Sequence, residues 1–234
     1  MARLSLSLLG SFQVTLDGKL VTGFESDRVR ALLAYLAVEA DRSHRRDALA
    51  GLLWPDWPDR SALTNLRNAL SNLRKVIGDR ESASPVLLVS RETLQFNPAG
   101  DSWVDAQAFR ALAAADQLAS RLEEAVALYR GAFLEDLGLE DSAPFEDWTQ
   151  VVREQLQRQC LIALEQLAQH YEQHGNLDKA SEYARKQIDL APWQEEAHRH
   201  LMRLLALSGQ RSAALAQYET CRHLLRAVPR AAFA

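Results

Sequence analysis

The sequence predicts two domains of different fold class, an α+β winged helix followed by an all-α domain of tetratricopeptide-like repeats. In the first hundred residues, an alternating apolar pattern is followed by three helical patterns and then by a two-stranded hairpin pattern. Beyond residue 101 the patterns are helical alone, and two of them recur with a spacing of 34 residues, the length of a tetratricopeptide unit. A breaker cluster at 97–101 separates the two regions, so we place the domains at 1–98 and 102–234.

The chain opens with strands. Leucine alternates with serine at 4–8, and apolar residues alternate again at 12–16, so each run predicts a strand with one buried face. The dipeptide Asp17-Gly18 follows the second run and favours a tight turn into a third strand. A sheet therefore precedes the first helix.

Two helical patterns follow this sheet. We expect Ser26 to cap the first helix, which carries its apolar residues at 32–38. We expect Ser43 to cap the second helix, with apolar residues at 48–53. The second helix must end at Trp54, because a proline follows and drives the preceding residue out of the helical region.

The third helical pattern, from Arg60 to Gly78, contains no carboxylate. Its apolar residues recur at helical spacing and fill one face of an amphipathic helix. The residues assigned to that apolar face include Leu63, Leu66, Leu70, Leu73 and Ile77. The residues assigned to the opposite face are Arg60, Thr64, Arg67, Asn68, Ser71, Arg74 and Lys75. A surface helix normally mixes acids with bases at i,i+4 positions, so a helix without acids predicts a polyanionic partner.

The order of the elements predicts how this partner is bound. Runs at 86–89 and 93–96 predict a hairpin, and three helices followed by a hairpin are the layout of a winged helix. In that layout the third helix enters the major groove of DNA. The net charge of −4 does not oppose this, because residues 1–100 hold 13 Lys/Arg and 11 Asp/Glu, a net of +2, and the remainder carries −6.

The predicted DNA contacts divide into base readers and phosphate contacts. The residues assigned to base edges are Arg60, Thr64, Arg67 and Asn68, with Ser71 on the same polar face, and those assigned to phosphate are Arg74 and Lys75. Arg45 and Arg46, at the start of the second helix, are predicted to contact phosphates, and Arg91, at the hairpin tip, to reach the minor groove. The alternative for all of them is a solvated basic surface.

The second domain is predicted to consist of helical repeats. A long helix runs from Pro144 to Gly175, which supplies its C-terminal cap. Gly175 and Gly209 each separate two helical patterns and lie 34 residues apart. The segment 121–131 matches the second half of an earlier unit, and an insertion at 133–144 follows it.

Nothing in the sequence predicts catalysis or a cofactor. The patterns GxxxxGK[ST], GxSxG and HExxH are missing, so we expect that the chain is not an enzyme. Cys160 and Cys221 fall inside helical patterns as small core residues, and His198 and His200 point in different directions on one helix, so no metal site is predicted. No apolar run approaches ~18 residues, so we expect no membrane span and a cytoplasmic protein.

Most of the chain resembles a known family. The segments LSLLGSFQVTLDGKLV, SDRVRALLAYLAVEADRSHRRDALAGLLWPD and DRSALTNLRNALSNLRKVIGD resemble the N-terminal half of the SARP-type transcriptional activators. Those proteins join an OmpR-type winged helix to a bacterial transcriptional activation domain built on tetratricopeptide repeats. The chain from Asp105 through LEEAVALYRG to the two repeats is similar to that domain. The hairpin LLVSRETLQFNP departs from the pattern, since it lacks the glycine-rich tip of many relatives.

The resemblance implies a sequence-specific DNA-binding activator that dimerises on direct repeats of double-stranded promoter DNA and contacts RNA polymerase. The part expected to touch the polymerase is the loop 54–59, with Trp54, Asp56 and Trp57. For both tryptophans, packing of the loop is the favoured explanation, ahead of a partner surface. Two other functions stay open. The chain is alternatively a repeat-based protein-interaction adaptor, or the N-terminal part of a larger ligand-gated regulator.

Overall fold

The computed structural model describes residues 4–79, 84–114 and 118–227. The chain forms two compact units, Met1–Ala111 with Leu128–Leu156, and Leu112–Ala127 with Gln157–Ala234. Each unit is thus built from two stretches of chain. This division is based on packing. The domain limits of 1–98 and 102–234 are based on the sequence and stay a prediction.

The order of elements follows the predicted fold class. The strands are β1 (Leu4–Ser7), β2 (Gln13–Leu16), β3 (Lys19–Leu20), β4 (His44–Arg45), β5 (Leu87–Val89), β6 (Thr93–Phe96) and β7 (Ser102–Val104). The helices are α1 (Asp27–Val38), α2 (Arg46–Leu53), α3 (Asp59–Val76), α4 (Asp105–Leu112), α5 (Ala119–Leu128), α6 (Ala143–Gln173), α7 (Leu177–Leu190), α8 (Glu195–Leu207) and α9 (Arg211–Ala227). An α+β part is therefore followed by a helical part.

The first sheet has the order β3-β2-β1-β7. β1 pairs antiparallel with β2, and Leu4 and Leu6, with Leu8 just beyond the strand, are fully buried. The turn between β2 and β3 has positive φ at Asp17 (50°) and Gly18 (78°), which is the left-handed geometry that this dipeptide favours. The predicted hairpin is confirmed.

β7 corrects the expectation that the chain is wholly helical beyond residue 101. It pairs in parallel with β1, with Val104 opposite Leu6. Three residues are too few to show an alternating pattern of apolar and polar side chains. The strand forms because the edge of β1 offers backbone groups to pair with, which its own residues do not reveal. Directly after it, the buried carboxylate of Asp105 accepts hydrogen bonds from the backbone N–H groups of Leu8 (2.8 Å) and Leu9 (3.0 Å).

The starts of the first two helices differ in how well they were predicted. Ser26 occupies the N-cap position of α1 in an extended conformation, although its side chain makes no capping hydrogen bond. The prediction that Ser43 caps α2 is wrong. His44–Arg45 pairs with β6 as the short strand β4, which moves the N-cap of α2 to Arg45. The helix ends at Leu53, ahead of the proline, as predicted.

The second sheet, of order β4-β6-β5, contains the predicted hairpin. β5 and β6 pair antiparallel with Leu87 opposite Phe96, and Leu94 and Phe96 turn inward as buried side chains. At the tip, the Ser90 hydroxyl oxygen accepts a hydrogen bond of 2.8 Å from the backbone N–H of Thr93. Three helices followed by this hairpin make up the expected winged helix.

A later stretch of chain, Leu128–Leu156, completes the first unit. Phe133 is fully buried and forms an isolated antiparallel bridge with Leu9. The Ser142 hydroxyl donates a hydrogen bond of 2.5 Å to the carbonyl of Leu52, near the C-terminal end of α2. The insertion predicted at 133–144 therefore packs into the core of the first unit.

The second unit contains α5, the C-terminal part of α6, and α7 to α9. Gly175 (φ 74°) follows α6 and Gly209 (φ 75°) follows α8, so both glycines adopt the left-handed conformation of a helix C-terminal cap. Cys160 and Cys221 are buried, and burial raises the pKa of the Cys160 thiol to about 12. Among the described helices, none has an apolar stretch long enough to span a bilayer.

Candidate nucleic-acid interface

Helix α3 presents one buried and one exposed face. Ala62, Leu66 and Leu73 are each at most 3% exposed and form its inner side. Asp59 in the first turn and the cationic residues in the last turn complement the helix dipole. Asn72 is also buried, accepting from the backbone N–H of Glu25 (3.2 Å) and donating to a carbonyl on the same loop, so the inner face holds the helix in a fixed orientation.

The structure brings most of the predicted contacts onto the outer face of α3. The predicted residues that are exposed there are Arg60, Thr64, Arg67, Asn68, Ser71 and Lys75. The Thr64 hydroxyl donates a 2.9 Å hydrogen bond to the carbonyl of Arg60, so its proton is used within the helix and its oxygen stays an acceptor. Within the described residues, no carboxylate lies within ion-pair distance of Arg60, Arg67 or Lys75.

Arg74 differs from these residues. Its Nε donates to the carboxylate of Asp79 at 3.1 Å, and the Asp79 side chain is fully buried. The same carboxylate accepts hydrogen bonds from the backbone N–H groups of Val86 (2.6 Å) and Leu87 (3.2 Å). Arg74 thus joins the end of α3 to the base of the hairpin, and its predicted contact with phosphate competes with this interaction.

Arg45 and Arg46, next to each other at the start of α2, have different surroundings. Arg45 is exposed and pairs with Asp47 at 2.8 Å, a hydrogen bond that raises the pKa of the guanidinium. Arg46 instead donates to the carbonyl of Ser90 at 2.8 Å, while its backbone N–H donates to the carbonyl of Glu92. Arg46 therefore holds the hairpin tip against α2.

Arg46 also brings a second positive charge close to α3. Burial, and then the nearby charge of Arg67, lower the pKa of the Arg46 guanidinium. Its Nε is buried without a hydrogen-bond partner in the described part of the chain. Arg91 is exposed at the hairpin tip, next to Glu92. The hydrogen bond of Arg46 to Ser90 and its proximity to Arg67 thus bring the start of α2 and the hairpin tip close to the outer face of α3.

In the loop 54–59, which is predicted to contact the polymerase, some side chains are buried and others are exposed. Trp54 is only 6% exposed, and the Arg28 guanidinium lies over its ring, 5.7 Å from the centroid. Arg28 Nε also donates to the carbonyl of Leu53 at 2.9 Å. Trp57 is 50% exposed and Asp56 is exposed. Trp54 is therefore a packing residue, and Asp56 and Trp57 form the accessible part of the loop.

Sequence reasoning placed one residue on the wrong face. The apolar spacing predicts that Leu63 lies on the buried side of α3, but it is 38% exposed. At ~100° per residue, Leu63 lies about 40° from Arg67 around the helix, at the edge of the outer face. Apolar periodicity alone predicts that every leucine of the helix is buried. The angle around the helix between Leu63 and the centre of the inner face was the signal that could have predicted its exposure.

The histidines of the second unit have structural partners. His198 is buried, with Nε2 2.9 Å from the carbonyl of Pro192 and Nδ1 2.6 Å from the amide nitrogen of Gln217. His200 contacts Glu172 at 3.0 Å. Over the described ranges, no group of three His, Cys, Asp or Glu side chains is placed to hold a metal ion.

Comparisons with known proteins point to transcription. The model of the bacterial transcriptional activator domain family matches residues 104–228, more than half of the chain. Transcriptional regulatory protein EmbR, from Mycobacterium tuberculosis and from Mycobacterium bovis, is 40% identical over 76 residues, which are 32% of this chain and 19% of EmbR. The solved structure of Mycobacterium tuberculosis EmbR in complex with a low affinity phosphopeptide is similar, with a TM-score of 0.74 and 26% identity. That match covers 96% of this chain and 60% of the EmbR chain, so the chain spans less than two thirds of these relatives.

Proposed function

The chain belongs to the bacterial transcriptional activator domain family, and on that premise we propose that it is a sequence-specific DNA-binding activator that reads the major groove with α3. Its resemblance to SARP-type transcriptional activators is confirmed. Its relatives are transcriptional regulatory proteins. DNA and the transcription machinery are therefore the partners that the function requires.

The outer face of α3 carries the proposal. It holds guanidinium, ammonium, amide and hydroxyl groups, the side-chain types that hydrogen-bond base edges and neutralise phosphates. Arg60, Arg67 and Lys75 lack ion-pair partners in the described chain, so contact with DNA would not require them to break a salt bridge first. A helix about 10–12 Å across fits a major groove about 12 Å wide.

We assign base reading to the N-terminal half of this face and phosphate binding to its surroundings. N-terminal residues of a recognition helix usually reach deepest into the groove. The proposed base readers are Arg60, Thr64, Arg67 and Asn68, and the proposed backbone contacts are Ser71, Lys75, Arg45 and Arg91. Arg46 and Arg74 support the hairpin in this assignment, because both donate hydrogen bonds to it or to the residue that anchors it.

The experiment that tests DNA reading uses the full chain. Fragments selected from sheared genomic DNA are footprinted, and the affinity for the footprint is compared with that for random DNA of equal length. Asn68→Ala is expected to weaken binding and to relax the preference at one base pair, which is typically worth ~1–3 kcal/mol. Equal affinity of the unaltered protein for selected and random DNA contradicts the proposal.

We also propose that Asp56 and Trp57 contact RNA polymerase. The support is the exposure of these two side chains immediately before α3. The binding of two copies to direct repeats rests on the resemblance to SARP-type activators alone. Trp57→Ala should keep operator affinity and lose activation in transcription with purified polymerase. Trp193→Ala is the matched control, since Trp193 is 54% exposed in the second unit. Activation by Trp57→Ala equal to that of the control variant contradicts this assignment.

A repeat-based adaptor is the second candidate function. It is favoured by a cavity of about 740 Å³ in the second unit, lined by α6, α7, α8 and the residue just before α8, with Gln169, Gln187, Gln194, Arg199 and His200 among the lining residues. Amides and paired charges are suited to the backbone and side chains of a peptide. Capture of a partner protein that is lost on Gln169→Ala, without any preference for selected DNA, supports this candidate over the first.

A further inference from the structure

Leu63 is a large apolar side chain on a helix face otherwise built of polar groups. It is 38% exposed, while Leu66, Leu70 and Leu73 are at most 6% exposed. Packing in the core accounts for those three leucines. Single exposed apolar side chains are common on protein surfaces, so it is the position of Leu63 beside the polar groups of the outer face of α3, and not its exposure alone, that points to a partner.

The charges beside Leu63 indicate the kind of partner. Arg60 precedes it by three residues and Arg67 follows it by four, so each lies within about one turn. A hydrophobic protein surface closing over Leu63 would also take two unpaired guanidinium groups out of water, which is unfavourable. The DNA major groove suits this combination, because it presents phosphates and guanine acceptors together with one apolar group, the C5-methyl of thymine.

We propose that Leu63 packs against the C5-methyl group of a thymine and thereby specifies one base pair of the operator. The inference rests on the proposed function, since it requires α3 in the major groove. Leu63 is the fifth residue of the helix, in the half whose side chains reach base edges. The contribution of one buried methyl group corresponds to about a fourfold change in affinity.

The test removes the methyl group from the DNA and its partner from the protein. In a footprinted operator, thymines are replaced one at a time by deoxyuridine, which keeps the hydrogen-bonding edge and lacks the methyl. We expect one replacement to weaken binding of the full chain about fourfold. Leu63→Ala should weaken binding to the thymine operator by a similar factor and should be insensitive to that replacement.

Leu215→Ala is the matched control for the protein. Leu215 is 59% exposed on α9, in the second unit, so its removal should leave both the affinity and the methyl dependence unchanged. Unchanged far-ultraviolet circular dichroism of both variants excludes a folding effect, which is expected to be small at exposed positions.

Three results overturn the proposal while leaving DNA binding intact. One is equal affinity for every deoxyuridine operator and the thymine operator. Another is an equal loss by Leu63→Ala on both. The third is a Leu63→Ala variant with full operator affinity and lost activation, which would place a protein partner at this leucine. Failure of the unaltered chain to prefer the operator over random DNA overturns the proposed function together with this inference.

Discussion

Cationic side chains on the outer face of α3 and on the helices of the second unit differ in whether they form salt bridges. In the second unit, several lysine and arginine side chains pair with acids, among them Lys179 with Glu123 at 3.2 Å, Lys186 with Glu182 at 2.7 Å, and Arg199 with Glu196 at 2.8 Å. On the outer face of α3, the described chain offers Arg60 and Arg67 no such partner. Paired cations stabilise a helix surface by a few tenths of a kcal/mol each, whereas unpaired ones are available to a polyanion.

The strongest test of this difference is the salt dependence of DNA binding. If the three cationic side chains assigned to phosphate, Lys75, Arg45 and Arg91, neutralise one phosphate each, the slope of log affinity against log salt is about −2.7. Raising the salt concentration from 50 to 200 mM should then weaken operator binding about 40-fold. Titrations at four salt concentrations measure the slope, and a slope near zero would show that the outer face of α3 does not meet phosphate.

Single arginines from the two regions should behave differently. Arg67→Ala is expected to cost ~1–3 kcal/mol of operator binding, because it removes an unpaired guanidinium from the face proposed to read bases. Arg199→Ala removes a cation paired with Glu196 on an exposed surface, so operator affinity should not change and stability should fall by less than ~1 kcal/mol. Equal losses of operator affinity in the two variants would contradict the proposed difference between unpaired and paired arginines.

Two neighbouring residues sharpen the comparison within α3 itself. Lys75→Ala should reduce the salt slope by about 0.9 and leave the free energy of unfolding unchanged. Arg74→Ala should do the reverse, lowering the free energy of unfolding by about 1–2 kcal/mol, because Asp79 is buried and loses a charged donor. Urea unfolding and salt titrations of both variants separate the roles, and a lower salt slope in Arg74→Ala would restore its predicted phosphate contact.

The smallest expected effect lies in the second unit, at Glu123. Its Oε1 accepts from the hydroxyls of Tyr171 (2.7 Å) and Tyr183 (2.9 Å) and from Lys179, and these hydrogen bonds lower the pKa of the carboxyl. Because the folded-state pKa is depressed, the stabilisation is present above the unfolded-state pKa of about 4.3 and is lost as the pH falls through the folded-state value.

Glu123→Gln should therefore destabilise the protein by about 0.5–1 kcal/mol at pH 7 and by less in acid, as measured by urea unfolding at pH 7 and below pH 4. Glu124→Gln is the control, since Glu124 is the exposed neighbour on the same helix. A difference between the two variants that is the same at both pH values would contradict the assignment.

The sequence predicted the features that depend on local pattern. The limits of β6, the turn at Asp17 and the end of α2 before the proline follow from alternation, dipeptide geometry and backbone restriction. The helix at 60–78 without acidic residues could also be predicted from the sequence, because charge and spacing are properties of neighbouring residues.

The features that were missed depend on partners distant in the chain. Strand β7 forms because one edge of β1 is free to pair with it. Ser43 does not cap α2, because the two residues after it form β4 and pair with β6. The exposure of Leu63 and the hydrogen bond between Arg74 and Asp79 depend on how the inner face of α3 meets its surroundings. No local rule fixes such distances.

Asp105 has a consequence for where this chain can be divided into fragments that fold by themselves. Its carboxylate accepts the amides of Leu8 and Leu9, and it lies inside the stretch that the family model matches, 104–228. A fragment that ended at residue 98 would leave those two amides without their acceptor and β1 without its parallel neighbour. By packing, residues 1–98 are therefore not complete without β7 and Asp105, and a fragment of the first unit intended to fold by itself must include them.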